Sequence, residues 1–359
     1  MHTLTAKDVR LLVVCLLFGL ASGLLNAHPL GTVAPFVVAA AALAALATLV
    51  GRCVDALGDR LGAGATGVVQ SALGNLPELF VCLFALRAGL VDVVRAAIVG
   101  SVLANVLLVL GLAFVVGGLK HGAQRFDGAR ARSTGLLLLL AVAVLLLPAL
   151  TSELHTPAAR HELAFSRITA VVLLVVFALS LPATLSRSGG PSTDEQPEEP
   201  DADGQVRLWP LWLSLGLLAL SGAAAAFVSD WFVTALTPAT QALGLSQTFA
   251  GLVVVAIAGN AVENVVGIQL AAKNRPDYAL SVILQSPLQI VLVLAPVLVL
   301  VAPLVGTSFT LVLSPLLIAV LAIAVLVTVV VLFDAESTWL EGVALLALYI
   351  VMATAFFWG

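Results

Sequence analysis

The chain alternates long apolar runs with short polar breaks. Eleven of the runs hold the roughly 20 predominantly apolar residues that a spanning helix needs. They fall at about 9–26, 33–57, 64–87, 92–118, 133–150, 165–186, 208–234, 243–272, 277–304, 310–333 and 339–358. This pattern predicts an all-α polytopic membrane protein with about eleven transmembrane helices. Two of the runs, the third and the eighth, each carry a glutamate, which is a costly residue at bilayer depth. The surrounding sequence is nearly the same in both places. One reads Gly74-Asn75-Leu76-Pro77-Glu78 and the other Gly259-Asn260-Ala261-Val262-Glu263.

The likeness extends well past five residues. The glutamates are 185 positions apart, and the same offset pairs Asp92 with Asp277 and Ser101 with Ser286. Each copy runs from a Gly-Asn-x-x-Glu helix through a short charged turn into a second apolar helix. Internal repeats of this kind are a signature of secondary transporters, whose binding sites form where the repeats meet. The first run stands outside the repeat. The expected organisation is therefore a tail and leading helix over 1–32, a first five-helix repeat over 33–187, a linker over 188–207 and a second five-helix repeat over 208–359.

The basic residues give a direction. With the N-terminus inside, twelve of the sixteen Lys and Arg lie on the inner side, and Arg87, Arg95, Arg160 and Arg167 lie outside. This satisfies the positive-inside rule. An odd number of helices separates the third run from the eighth, so the two halves cross in opposite directions and form an inverted repeat. The expected location is a cell inner (cytoplasmic) membrane, with the N-terminus in the cytoplasm. The N-terminal run has stretches that weakly resemble a cleavage site, but it is expected to be a retained first helix.

Composition agrees with this reading. Of 359 residues, 61% are hydrophobic and 10% charged, and the mean hydropathy is +1.14. Much of the acid lies in the Ser-, Pro- and Gly-rich stretch from Ser188 to Gln205, which reads as a solvated cytoplasmic linker. Cys15, Cys53 and Cys82 are scattered through apolar runs without metal-ligand spacing and read as small hydrophobes. The five histidines fall in tails or loops, and His155 with His161-Glu162 makes at most a weak outer metal site. There is no His-Glu-x-x-His motif, no phosphate-binding loop and no nucleic-acid footprint.

The repeated motif has the chemistry of a cation site. Glycine admits a close neighbouring helix and weakens its own. Pro77 removes an N–H and is expected to free a carbonyl in the turn before it. With Gly74 and Gly259 it is read as a helix-breaking residue. Freed carbonyls, the amide oxygens of Asn75 and Asn260, and the carboxylates of Glu78 and Glu263 are hard oxygen ligands of the type Ca²⁺ selects. Carboxylates stripped of water also hold a proton more readily, so one pair of groups binds either a dication or protons. That competition is the minimum requirement for cation/proton exchange. Gln70, Ser101, Asn105, Asn264, Ser286 and Gln289 fall where they would line the same cavity, although amide and hydroxyl groups also serve as ordinary helix–helix hydrogen-bonding groups.

At this point the residues resemble a family. Gly74–Glu78 with the run to Leu110, and Gly259–Glu263 with Gln285–Pro296, look like the two alpha-repeats of the Ca²⁺/H⁺ (cation/proton) exchangers of the cation/Ca²⁺ exchanger superfamily. The phrases Gly100-Ser101-Val102-Leu103-Ala104-Asn105 and Ser286-Pro287-Leu288-Gln289-Ile290 are particularly similar. The resemblance covers most of the chain from about Gly51 onward. It implies an eleven-helix fold, alternating access, and Glu78 and Glu263 as the central cation and proton carboxylates. The departures are Asn264 where the family has histidine, Pro77 where it has threonine, Gln70 where asparagine is common, an absent proline near Ala256, and Pro287.

The reading from the sequence is a secondary active antiporter exchanging Ca²⁺ for H⁺ across the lipid bilayer, with no cofactor and no catalytic residue. A homo-oligomer is compatible with it. The alternatives are exchange of Na⁺ or K⁺, or a transport-incompetent sensor with the same fold. An intramembrane hydrolase ranks behind, because no nucleophile or metal motif sits in the matched frames.

Overall fold

The computed structural model describes residues 5–61, 75–187 and 209–358, without the side chains of 55, 58–61, 182–187 and 261–264. The described chain is mostly helical. In order it forms α1 (Ala6–Ala27), α2 (Val33–Leu61), α3 (Leu76–Arg87), α4 (Val91–His121), α5 (Gly128–Glu153), α6 (Glu162–Arg187) and α7 (Leu211–Leu243). There follow α8 (Gln247–Gly259), α9 (Ala261–Ala272), α10 (Pro276–Val305), α11 (Pro315–Val331) and α12 (Trp339–Phe357). Eight of the described helices are long and apolar enough to cross a membrane.

Polar residues in the loops set the helix starts. Thr5 and Asp8 form a reciprocal cap at the start of α1, as do Thr338 and Glu341 at the start of α12. Asp127 accepts from the backbone N–H groups of Ala129 and Arg130 to open α5. Each cap satisfies N–H groups that a helix start leaves without partners.

The 185-residue offset reappears in the backbone. The bounds of α3 and α9 match by that offset at both ends, as do the starts of α4 and α10. The turns that join them also match. Gly89 has φ +78°, and its counterpart Asn274 has φ +58°. Left-handed backbone of this kind suits glycine and, among residues with a side chain, asparagine. Both long helices widen into π-helical turns near their middles, over Ala104–Val109 in α4 and Ile290–Leu294 in α10.

α4 and α10 run in opposite directions. Near the start of α4, Arg95 donates to Thr310, which follows the end of α10. Past the end of α4, Gln124 donates to Asn274, and the Asp127 N–H donates to Asp277 at the start of α10. A two-residue ribbon pairing Gln124–Arg125 with Glu336–Ser337 lies at this second end. α4 forms the centre of the molecule, with 83% of its most apolar window buried, against 17% for α1. Glycines let its backbone approach its neighbours. A Cβ on Gly100 would collide with the Leu252 backbone of α8, and a Cβ on Gly111 would meet the Gly342 carbonyl of α12 at 2.9 Å.

Three expected spans differ from the observed elements. The run 208–234 continues as α7 to Leu243, past the expected turn. The run 243–272 is divided at Asn260, because the asparagine takes a non-helical conformation between α8 and α9. The run 310–333 becomes helical only at Pro315. The preceding segment is extended and buries Phe309, Leu311 and Leu313 in alternation. Its Leu311 N–H is satisfied by the buried Ser166 hydroxyl at 3.1 Å.

Candidate functional site

The site forms at the starts of α3 and α9. Asn75 precedes α3 with φ −95° and ψ 22°, and Asn260 precedes α9 with φ −95° and ψ 23°. These angles belong to the sparsely populated bridge region. Glu78 lies in the first turn of α3 and is 8% exposed. The N-terminal end of a helix dipole favours a negative charge there. Glu263 occupies the same turn of α9 in the backbone, but its side chain and that of Asn264 lie outside the described residues. Gln70 and Gly74 lie outside them entirely.

Pro77 is the second residue of α3, and the turn before it, where it is expected to free a carbonyl, lies outside the described residues. At the second break the interrupting residue is Asn260, while Gly259 ends α8 as its last helical residue. The glycine instead allows close approach, since a Cβ at Gly259 would lie 2.8 Å from Glu78 Cγ. Glu78 of the first repeated segment is thereby packed against the break in the second.

A buried polar network surrounds this junction. Asn105 Nδ2 donates to Asn260 Oδ1 at 2.9 Å and to the Ser101 carbonyl at 2.9 Å. The Ser286 hydroxyl donates to the same Asn260 oxygen at 2.9 Å. Asn260 Nδ2 in turn donates to the Ser101 hydroxyl at 3.0 Å and to the Ala256 carbonyl at 2.9 Å. Asn75 Nδ2 reaches Gln289 Oε1 at 3.3 Å. Asn105 and Asn260 are both fully buried. Each asparagine is thus tied to the long helix of the other segment: Asn260 to α4, and Asn75 to α10. The expected residues Asn75, Glu78, Ser101, Asn105, Asn260, Ser286 and Gln289 lie in this one region.

A narrow cleft opens beside Glu78. Pro77, Glu78, Ser101 and Gly259 line it, together with apolar Leu43 of α2 and Phe232 of α7. Phe232 stacks on Phe36 with ring centroids 5.0 Å apart, which joins α2 to α7. Cys82 also lines the cleft, one helical turn beyond Glu78. The spacing of four from Glu78 could have placed Cys82 on the same face. Nothing in the sequence singles out Leu43 or Phe232, because their helices are apolar on every side. Cys15, Cys53 and Cys82 are buried.

Among the described residues no three His, Cys, Asp or Glu side chains gather as a metal cluster. Around Glu78 the donors are neutral oxygens of amides, hydroxyls and carbonyls. Such a set suits a hard cation held by few charges, which can therefore leave again. It does not suit a soft metal, which takes thiolates or imidazoles.

The chain is similar to known proteins over most of its length. The family model described as sodium/calcium exchanger protein matches residues 32–185 and 213–358. A protein of Synechocystis sp. named Ca(2+)/H(+) antiporter is 34% identical over 342 residues, covering 91% of each chain. The Ca(2+)/H(+) antiporter ChaA of Bacillus subtilis is 35% identical over 328 residues, covering 90% of this chain and 91% of the relative. The solved structure of native YfkE superposes with a TM-score of 0.81 at 29% identity, covering 97% of this chain and 99% of that one.

Proposed function

The chain belongs to the sodium/calcium exchanger protein family, and from that premise we propose that it is a secondary active transporter exchanging Ca²⁺ for H⁺. Relatives that carry the name Ca(2+)/H(+) antiporter, matched over nine-tenths of the chain, support the choice of cargo. The observation that carries the mechanism is the place of Glu78. It is a buried carboxylate in the first turn of α3, packed against the Gly259–Asn260 break of the other segment.

In this reading Glu78 and Glu263 are the shared carboxylates. When both are ionised, they and the surrounding amide, hydroxyl and carbonyl oxygens replace the water shell of Ca²⁺. When both are protonated, the region is neutral and the dication loses its counter-charge. Binding of one cargo therefore expels the other, and the coupled carboxylates titrate as a pair. Asn75, Asn260, Ser101, Asn105, Ser286 and Gln289 hold the breaks open to the ion and supply neutral oxygens. Gln70 and Asn264 complete the cavity. Asn260 lets its helix stop and restart at mid-membrane without exposing backbone to lipid.

We read the architecture as one leading helix followed by two inverted five-helix repeats, eleven spans in all. The matched bounds of α3 and α9, the matched turns at Gly89 and Asn274, and the opposed directions of α4 and α10 support this. The distribution of Lys and Arg supports a cytoplasmic N-terminus and linker in a cell inner membrane. Export of Ca²⁺ against inward proton flow is the working direction.

The test is cation-dependent proton release from energised everted vesicles, with Ca²⁺, Mg²⁺, Mn²⁺, Na⁺ and K⁺ added separately. Ca²⁺ should release protons at the lowest concentration. Release by Na⁺ or K⁺ alone would replace the cargo. No response to any cation from well-folded protein would point to a sensor.

A further inference from the structure

The widened turn of α4, Ala104–Val109, carries Asn105 as its second residue. There the Leu110 N–H reaches back five residues to the Asn105 carbonyl. Turns of this kind are rare and occur often at functional sites. Irregular backbone persists only where its surroundings hold it. Asn105 is fully buried. Its Nδ2 is committed to Asn260 Oδ1 and to the Ser101 carbonyl. Its Oδ1 is buried with no hydrogen-bond partner among the described residues. An acceptor left unmade away from water is costly, and this oxygen is the one the network leaves for an ion.

α11 packs against the widened turn. From Pro315 to Val331 it has a single polar side chain, Thr328, which is fully buried. Thr328 Oγ1 lies 2.8 Å from the Ala324 carbonyl of its own helix and 3.3 Å from the Val106 carbonyl of α4. The first contact is ordinary for a threonine inside a helix. The second crosses 222 residues of sequence to the residue that follows Asn105. The one hydroxyl hydrogen is shared between the two carbonyls in a three-centre bond.

The repeat supplies an internal comparison. α5 packs against the widened turn of α10, Ile290–Leu294. There the 185-residue offset puts Ile290 in the place of Asn105. The middle of α5, from Leu136 to Leu147, has only apolar side chains. The turn that carries an amide is met by a hydroxyl, and the turn that carries isoleucine is met by a helix with none in its middle.

We propose that Thr328 is a positioning residue for the cation site. Its hydroxyl holds the widened turn of α4, so that the Asn105 amide keeps its bond to Asn260 and presents Oδ1 to Ca²⁺. Thr328 acts through Asn105 and does not itself touch the ion. This rests on the antiporter reading above.

The experiment measures half-saturating Ca²⁺ and maximal rate of Ca²⁺/H⁺ exchange in everted vesicles. It compares wild type, Thr328→Val, Thr328→Ser, and Thr328→Val made together with Asn105→Leu. Thr328→Val keeps the shape and removes the hydroxyl. It should raise half-saturating Ca²⁺ by about three- to tenfold, the scale of one buried hydrogen bond, with little change in maximal rate. Thr328→Ser keeps the hydroxyl and should behave as wild type. In the Asn105→Leu background Thr328→Val should add nothing further, because residues that act through one another are not additive. An unshifted Thr328→Val, a serine variant that behaves as the valine one, or the same shift in both backgrounds would overturn the proposal. If Thr328→Val fails to insert, Thr328→Ala against Thr328→Ser isolates the hydroxyl, and equal half-saturation of those two overturns it. In each of these cases exchange itself persists and the antiporter reading stands. Wild-type vesicles with no Ca²⁺/H⁺ exchange would instead refute that reading and the role of Thr328 with it.

Discussion

Asn105 donates a hydrogen bond to Asn260 at 2.9 Å across 155 residues of sequence. The bond joins the middle of α4 to the break between α8 and α9, so it fixes the second break against the long helix of the first segment. Both residues are fully buried, and Asn260 Oδ1 also accepts from Ser286. The bond is therefore one member of a buried group in which loss of one amide leaves others without partners.

Asn105→Leu keeps the approximate size and removes the donor. It should destabilise the protein by about 1–3 kcal/mol, the cost of leaving buried polar groups unpaired. Exchange should fall by roughly tenfold or more, since about 1.4 kcal/mol at the site suffices for that. Thermal melting in detergent and Ca²⁺-driven proton release on the same preparation test both parts. Unchanged melting and unchanged exchange would mean that the amide network does not hold the break.

Gly259→Ala tests the close approach at the centre. The new methyl carbon would lie 2.8 Å from Glu78 Cγ, so the carboxylate side chain must shift. Displacements of about 1 Å at a reacting group typically cost up to about a hundredfold. Apparent Ca²⁺ affinity should drop by roughly tenfold to a hundredfold with the fold retained. Gly216→Ala, where nothing lies within 4 Å of the added carbon, is the silent control. Equal behaviour of the two variants would remove Glu78 from the neighbourhood of the second break as a functional matter.

Topology has a direct test. In a background with Cys15, Cys53 and Cys82 replaced, single cysteines at Gly189 and Gly306 should react with an impermeant thiol reagent from opposite sides of the membrane. Reaction from the same side would overturn the eleven-span reading and the inversion with it. Deleting much of the Ser188–Gln205 stretch should spare transport if it is only a tether.

Asn264 adjoins Glu263 where the resembling family has histidine. Neighbouring residues on a helix point about 100° apart, so position 264 tunes the site without facing the ion directly. Asparagine does not titrate. Asn264→His should add a titration in the physiological range. The sign follows from charge: the imidazolium present at lower pH repels the dication, so apparent Ca²⁺ affinity should fall as pH drops and recover as pH rises. Superimposable pH profiles for variant and wild type would show that position 264 is electrically remote.

Much of the site was legible because a carboxylate in an apolar run is rare, and the same rare feature occurs twice. The shared offset of 185 marks the pairs Asn75–Asn260, Glu78–Glu263 and Ser101–Ser286, and it also governs the helix bounds. What the pattern could not convey is packing. In helices that are apolar on every side, hydropathy locates a span without marking its buried face, so Leu43 and Phe232 gave no signal. The segment around Phe309–Leu313 passed for helix because an extended apolar stretch and an apolar helix look alike in a window average. Ser314-Pro315 was the available cue, since a serine before a proline is a helix-start signal.

The central claim is that two mid-membrane carboxylates carry Ca²⁺ and protons in turn. The most direct test is Ca²⁺-dependent proton release from everted vesicles carrying Glu78→Gln or Glu263→Gln, compared with wild type at equal amounts of folded protein. Glutamine keeps the shape and loses both the charge and the titration. Each substitution should abolish exchange while leaving insertion and melting temperature near wild type. Near-normal exchange by either well-folded variant would contradict the two-carboxylate account.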